Sequence, residues 1–317
     1  MRVRVSTIRL LVQALFFLAL VYLGVFGVRR LVIYGYEPSL PTLSCEYGRP
    51  VAKCFLYDLQ YILSRDTAGH YASLVEPVLF FVGLGVLFGR AWCGWACPLG
   101  FVQDLMSRCR AAWGWGRLAL SWRGRRLLRQ TGLGLLLALM GLSLLIGLPS
   151  SKLYVARDSL HRPYCQICPA RQVIPLVEGR GRELLPIDRF NRVTVTMSWL
   201  GIISFGFFVV GGLAVRQFWC RFCALGALMN VVRLNRWCVP GLQKDLSRCT
   251  HCGNCARVCP VDIQEVHQER DNDDVLRTDC HLCLKCVEAC PEDGVLTATY
   301  AGQGYFRSSF SYFADAT

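Results

Sequence analysis

Two runs near the carboxyl end hold the residues best suited to chemistry. The first is Cys249-Thr-His-Cys252-Gly-Asn-Cys255-Ala-Arg-Val-Cys259-Pro260; the second is Cys280-His-Leu-Cys283-Leu-Lys-Cys286-Val-Glu-Ala-Cys290-Pro291. Both read C-x2-C-x2-C-x3-C-P. In that spacing three close thiolates wrap one corner of an iron–sulfur cubane, and the fourth cysteine, at the start of a helix, reaches the other cluster. The runs therefore predict two [4Fe–4S] clusters. Cys249, Cys252, Cys255 and Cys290 would hold one; Cys280, Cys283, Cys286 and Cys259 would hold the other. Zinc also accepts four thiolates, but it does not explain two copies of the C-x3-C-P ending. His251 and His281 lie inside the runs. With four cysteines in each set, they are left to solvent or to outer contacts.

The chain has eighteen cysteines, too many for an ordinary cytosolic enzyme, and disulfide scaffolds do not carry long apolar runs. Cys93, Cys97, Cys220 and Cys223 make a candidate third centre, four soft donors able to hold iron–sulfur or another thiophilic metal. The alternative is that they are reduced cysteines that only pack. Cys45, Cys54, Cys165 and Cys168 make a candidate fourth centre, with Cys165-Gln-Ile-Cys168-Pro169 spaced like a cluster turn. The alternative is a Cys45–Cys54 and a Cys165–Cys168 disulfide in an oxidising compartment. Cys109 and Cys238 have no partner by spacing.

The elements that must position these residues are mostly membrane spans. Four stretches approach the roughly 20 apolar residues a span needs: about 8–28, 71–89, 127–148 and 195–215. The first has a long apolar region and no A-x-A site after it, so it reads as a retained helix. The formal charge of +13 is uneven. Residues 249–317 carry five bases against eleven acids, a net of −6, which leaves +19 for residues 1–248. Such a basic arm can signal nucleic-acid binding. Here the arginines flank apolar runs, which assigns them to membrane interfaces and makes a nucleic-acid partner unexpected. Arg2, Arg4 and Arg9, the loop from Arg90 to Arg126, and the segment from Arg216 to Arg248 then share one side. By the positive-inside rule that side is the cytoplasm, with both termini on it and the loops 29–70 and 149–194 facing outward.

The chain also repeats itself. Span two runs into Arg90-Ala-Trp-Cys93-Gly-Trp-Ala-Cys97-Pro-Leu-Gly100, and span four into Arg216-Gln-Phe-Trp-Cys220-Arg-Phe-Cys223-Ala-Leu-Gly226. Two spans per half make the halves parallel, so both cysteine turns should meet near an axis along the membrane normal. No C-x-x-C-H occurs and none of the five histidines lies in a span, which argues against haem. Glu76, beside Pro77, is the one acid within an apolar segment; with His70 as a relay it could accept a quinol proton, or it could be an interfacial carboxylate. Trp92, Trp95 and Trp219 fit interface anchors or a quinone platform.

The four spans, the Cys93-Gly-Trp-Ala-Cys97-Pro-Leu-Gly100 turn, its counterpart after span four and the double cysteine run together resemble the NapH family of membrane ferredoxins, related to the carboxyl half of NosR and to CcoG-type proteins. Two features depart from that pattern: the second turn is Cys220-x2-Cys223 followed by Ala224, and the four outer cysteines are additional. The resemblance implies a cytoplasmic-membrane component that oxidises quinol and passes electrons towards a periplasmic reductase through iron–sulfur or cytochrome c subunits. The expected fold is an α-helical membrane protein, with four transmembrane helices in two parallel repeats over residues 1–240. A bacterial-type two-cluster α+β ferredoxin domain follows over 241–300, and then a tail over 301–317. The expected function is electron transfer between the quinone pool and protein redox partners. The alternatives are a metal-reducing biogenesis ferredoxin of the CcoG type, or a transmembrane conduit that works without quinone, fed by a cytoplasmic donor.

Overall fold

The computed structural model describes residues 4–22, 39–42, 53–64, 72–116, 118–160, 162–181, 187, 191–234, 239–277 and 279–314. Cys45, Cys238, His70 and His161 lie outside these. Three helices among the described residues are long and apolar enough to cross a membrane. The first is α1 (Val5–Phe17), continued by π-type turns over Leu18–Tyr22. The others are α5 (Trp122–Gly147) and α8 (Arg192–Ala214). The span expected over 71–89 is shorter. Helix α3 (Val75–Phe88) has 14 residues, a rise of about 21 Å against a hydrocarbon core of about 30 Å.

Between α1 and α3 lie the parallel pair β1 (Ser39–Leu40) and β2 (Lys53–Cys54) and the short helix α2 (Phe55–Leu63). Pro98 opens α4 (Pro98–Ala112), where its missing N–H costs nothing. Between α5 and α8 come α6 (Pro163–Ile167) and α7 (Ala170–Val177). Prolines 163, 169 and 175 keep these pieces short. Helix α9 (Ala224–Leu234) closes the helical part. Packing within it is reciprocal: α1 lies on α4 and α5 on α9, while α8 lies on α4 and α3 on α9. Leu11, Leu15, Leu79, Leu137, Ile203 and Val210 point away from the protein and form its apolar belt.

The carboxyl-terminal unit is a three-stranded antiparallel sheet, β3 (Pro240–Lys244), β4 (Leu296–Tyr300) and β5 (Gln303–Arg307), in that spatial order, with both cysteine runs beside it. The segment set apart as a tail from residue 301 therefore supplies a strand. Ser308 extends the attachment: its N–H donates to the Leu296 carbonyl (2.8 Å) and its hydroxyl to that of Glu292 (2.6 Å). Leu242, Val275, Val287, Val295 and Ala298 form the core, joined by Val5 from the start of α1.

One polar network binds the two parts. The sequence places Arg9 among interfacial charges; the fold instead buries it, 2% exposed, against the Asp104 carboxylate. Arg9 and Gln13 both donate to the Gly94 carbonyl (2.9 and 2.8 Å), and Gln13 and Gln217 to Asp104 (3.0 and 3.1 Å). Gln217 also meets His281 Nδ1 at 2.6 Å. Gly94 is required at this junction, because a Cβ there would sit 2.4 Å from the His281 carbonyl oxygen. Nearby, Trp95 Nε1 donates to the Leu282 carbonyl (2.9 Å), and Ser6 donates through N and Oγ to Glu288 (3.2 and 3.1 Å). The amino end of α1 and the carboxyl-terminal unit thus sit at the same end of the bundle. Asp104→Ala leaves the Arg9 guanidinium buried without its counter-charge. The expected loss of stability is about 3–5 kcal/mol, read as a lowered midpoint of thermal unfolding in detergent relative to the parent chain.

Candidate metal centres

The two cysteine runs fold as copies of one backbone device. His251 and Gly253 in the first run, and Leu282 and Leu284 in the second, occupy corresponding positions, and all four have positive φ (58°, 75°, 48° and 59°). Alternating left-handed residues turn successive N–H groups inward and form a concavity suited to an anionic group. Three non-glycine residues hold this conformation, a local strain that persists only where the surroundings impose it.

Around that device the cysteines sort into two cavities. Cys249, Cys252 and Cys255 of the first run line one cavity together with Cys290 of the second. Cys280, Cys283 and Cys286 line the other with Cys259 of the first run. Cys255 borders both. The Ile263 N–H points at Cys259 Sγ (3.3 Å) and the Leu282 N–H at Cys280 Sγ (3.4 Å). Burial pushes the Cys255 thiol up to about 11 and the Cys259 thiol up to about 12, so metal must displace protons there to be bound. The Lys244 ammonium, 2% exposed and donating to the carbonyls of Val266 (3.1 Å) and Glu269 (2.9 Å), stands beside Cys255. His251 is exposed, with Nδ1 3.4 Å from Cys249 Sγ. His281 is buried in the network described above.

The turns after α3 and α8 converge. Cys93, Cys97, Cys220 and Cys223 are all buried, and Cys220 lies within electrostatic reach of the other three. Cys97 and Cys223 each begin a helix, their carbonyls accepting from the N–H groups of Phe101 (3.0 Å) and Ala227 (2.9 Å). The amino ends of α4 and α9 are thereby brought to the set. Gln103 donates to Cys220 Sγ (3.2 Å) and accepts from the Trp219 N–H (2.8 Å). Arg90, 3% exposed, donates to the Cys220 carbonyl (2.7 Å) and reaches Cys93.

This set adjoins the second cavity of the carboxyl-terminal unit. Arg221 lies within electrostatic reach of both Cys220 and Cys259 and donates to the Val261 carbonyl (2.9 Å), the Pro260 carbonyl (3.1 Å) and Asp262 (2.8 Å). Arg216 donates to the Cys259 carbonyl (2.6 Å). Arg125 pairs with Glu265 at 3.0 Å and Arg90 with Asp279 at 3.6 Å. Several arginines expected at the membrane interface thus hold the acidic unit in place.

The cysteines assigned to the outer loops are not at an outer face. Cys54 lies within electrostatic reach of both Cys165 and Cys223, and Tyr164, next to Cys165, brings its hydroxyl 3.6 Å from Cys223 Sγ. Cys54 and Cys168 belong to the same buried cluster as Cys97 and Cys223. The expected separation by a full bilayer does not exist, because both loops fold back into the bundle as α2, α6 and α7. No disulfide joins two of the described cysteines. The fourth member expected from the sequence, Cys45, is outside the described residues.

Other expectations fare differently. Glu76 is exposed in the first turn of α3. Trp95 binds the carboxyl-terminal unit and Trp219 is buried, so neither sits as an interface anchor. Cys109 is exposed. Reasoning from sequence missed Gln13, Gln60, Gln103, Tyr164 and Gln217. A glutamine inside an apolar run is the signal that could have found several of them.

Comparison with known proteins agrees with this arrangement. Residues 72–123 and 197–241 each match the 4Fe-4S binding domain family, one match in each half, and residues 241–291 match the 4Fe-4S dicluster domain family. Among curated relatives, YccM of Escherichia coli is 27% identical over 78% of this chain and 61% of its own length. The ferredoxin-type protein NapH of Haemophilus influenzae is 27% identical over 69% of this chain and 66% of its own. The regulatory protein NosR of Stutzerimonas stutzeri is 25% identical over 67% of this chain and 26% of its own. The chain thus spans less than two thirds of YccM and about a quarter of NosR. No solved structure matches. With 4Fe-4S families matching both halves and the carboxyl-terminal unit, and NapH and NosR among its relatives, the chain is similar to the NapH/NosR-like ferredoxin proteins.

Proposed function

We propose that this protein moves electrons between the quinone pool and protein redox partners through iron–sulfur clusters held in its carboxyl-terminal unit and at its paired cysteine turns. The observation that carries the reading is the exchange of fourth ligands: Cys290 lines the first run's cavity and Cys259 the second's. Two runs whose last cysteines cross to each other's cavity suit a pair of cubanes, an exchange that a zinc site does not call for. When bound, such clusters supply one-electron chemistry, and the protein supplies ligation, orientation and charge. Cys249, Cys252, Cys255 and Cys290 would hold the first, with Lys244 as a buried counter-charge. Cys280, Cys283, Cys286 and Cys259 would hold the second. Cys93, Cys97, Cys220 and Cys223 would hold a third, joined to the second through Arg221.

The reciprocal helix packing and the double family match support two parallel repeats, with α3 as a short fourth span. The common end that carries Ser6, Arg90, Arg125, Arg216 and the carboxyl-terminal unit would face the cytoplasm, by the positive-inside rule. Partners would be membrane-bound or periplasmic iron–sulfur or cytochrome c proteins. A conduit working without quinone is the second reading. It is favoured by Cys54 lying within reach of Cys223, which extends the run of thiols beyond the cytoplasmic end.

Cys255→Ser is expected to remove the first cluster, lower iron content by about four atoms per chain and loosen the small carboxyl-terminal unit, whose core these ligands line. Iron analysis and EPR of the anaerobically purified protein check it; unaltered iron and spectra would count against the cluster assignment. Reporter fusions test the topology. A carboxyl-terminal fusion to a cytoplasmic reporter should be active, and one to alkaline phosphatase inactive.

A further inference from the structure

We infer that the loop between α4 and α5, with the helix ends that flank it, is a binding surface for the headgroups of anionic phospholipids. The surface lies within residues 108–129 and does not depend on how the cysteine sets are read.

Its position is fixed by backbone hydrogen bonds. Helix α4 ends in a left-handed cap: Gly114 has φ 69°, its N–H donates to the Ala111 carbonyl (3.1 Å), and the Trp115 N–H donates to that of Arg110 (3.1 Å). Glycine suits the cap because an L side chain disfavours that φ. The buried Arg110 donates to the carbonyls of Leu213 (3.3 Å) and Ala214 (3.1 Å), the last residues of α8, and the Leu118 N–H also donates to Ala214 (3.1 Å). These donors satisfy carbonyls that a helix end leaves open, and the cation suits its negative pole. Ser121 then caps α5, accepting from the Gly124 N–H (3.2 Å). The loop is thereby pinned where one apolar helix of spanning length ends and another begins. Arg125 pairs there with Glu265, so the carboxyl-terminal unit lies on the same side.

The side chains suit the boundary of a bilayer. Trp113, Trp115, Leu118 and Trp122 are each more than half exposed. The cap sets the Trp113 and Trp115 rings against each other, 5.5 Å between centroids. Aromatic rings so exposed are costly in water, but indole fits the level where acyl chains meet headgroups.

The charge selects the kind of headgroup. Residues 105–129 hold seven arginines and no acid. Arg110 and Arg125 are engaged as above, and Arg117 lies outside the described residues. Arg108, Arg123, Arg126 and Arg129 are exposed, and none has a carboxylate partner among the described residues. The Arg126 guanidinium stands 5.4 Å over the Trp122 ring, and Arg123 lies one helical turn from it. Guanidinium groups match phosphate oxygens in paired hydrogen bonds. A zwitterionic headgroup brings its own cation to this uncompensated positive surface, whereas an anionic one brings only attraction. An acidic protein would match the charge alone. Lipid also matches the interleaved tryptophans and the position at two span ends.

The test places the full chain in bilayer nanodiscs of phosphatidylcholine and reads tryptophan fluorescence. A minor fraction of the lipid is either brominated phosphatidylglycerol or, in a parallel set, brominated phosphatidylcholine; bromine quenches an indole only at contact. Stronger quenching by the brominated phosphatidylglycerol is expected. The excess should shrink as salt rises from about 0.1 M to about 1 M and the screening length falls from about 10 Å to about 3 Å. Arg123→Gln with Arg126→Gln should bring the two lipids close to equal quenching, since each charge removed weakens the attraction about fivefold. If that chain does not fold, Arg108→Gln with Arg129→Gln makes the same comparison. Trp113→Phe, Trp115→Phe and Trp122→Phe together should abolish the excess. Equal quenching by the two lipids in the parent chain overturns the assignment. So does an excess that survives the arginine changes, or one that survives the tryptophan changes, because the lipid would then sit elsewhere.

Discussion

The structure depends on one buried carboxylate. Asp104 takes the charge of Arg9 from α1 and hydrogen bonds from Gln13 and Gln217, and Gln217 passes the connection to His281, between Cys280 and Cys283 of the carboxyl-terminal unit. In a low-dielectric interior an unpaired ion is costly, and a completed network is correspondingly specific. Asp104 therefore couples three decisions that sequence distance keeps apart: where α1 lies, how the turn before Trp219 is held and where the carboxyl-terminal unit sits. The thiol sets on either side of that junction keep a fixed relation because the junction is fixed.

Charge completes the attachment. The −6 of residues 249–317 and the +19 of residues 1–248 meet at Arg216 and Arg221 with Asp262, Arg125 with Glu265 and Arg90 with Asp279. The asymmetry thus serves the contact between the two parts as well as the membrane surface. Exposed pairs of this kind add little stability singly. Arg221 and Asp262 are largely buried and share several carbonyl contacts, so their pairing also fixes orientation.

What could be read from sequence divides by range. The cysteine runs were legible because each is encoded within about a dozen residues, and the two cavities place Cys290 with the first run and Cys259 with the second as that spacing predicts. The convergence of the Cys93 and Cys220 turns was legible from the internal repeat. The depth of the loops was not. Hydropathy measures the length of an apolar run, not whether the chain between two runs turns back, and the segments holding Cys54 and Cys165 have the mixed composition of any loop. Nor could hydropathy show that α3 ends short or that Arg9 lies inward, since the partner that permits its burial is 95 positions away.

Arg221 is within electrostatic reach of both Cys220 and Cys259, its guanidinium tied to Asp262 and to carbonyls on the carboxyl-terminal side. Two neighbouring cysteine sets therefore share one fixed positive charge. An immobile cation steadies negative charge on both at once, and neither set draws that attraction away from the other. What opposes charge on the two together is their mutual repulsion, which is the same in either order.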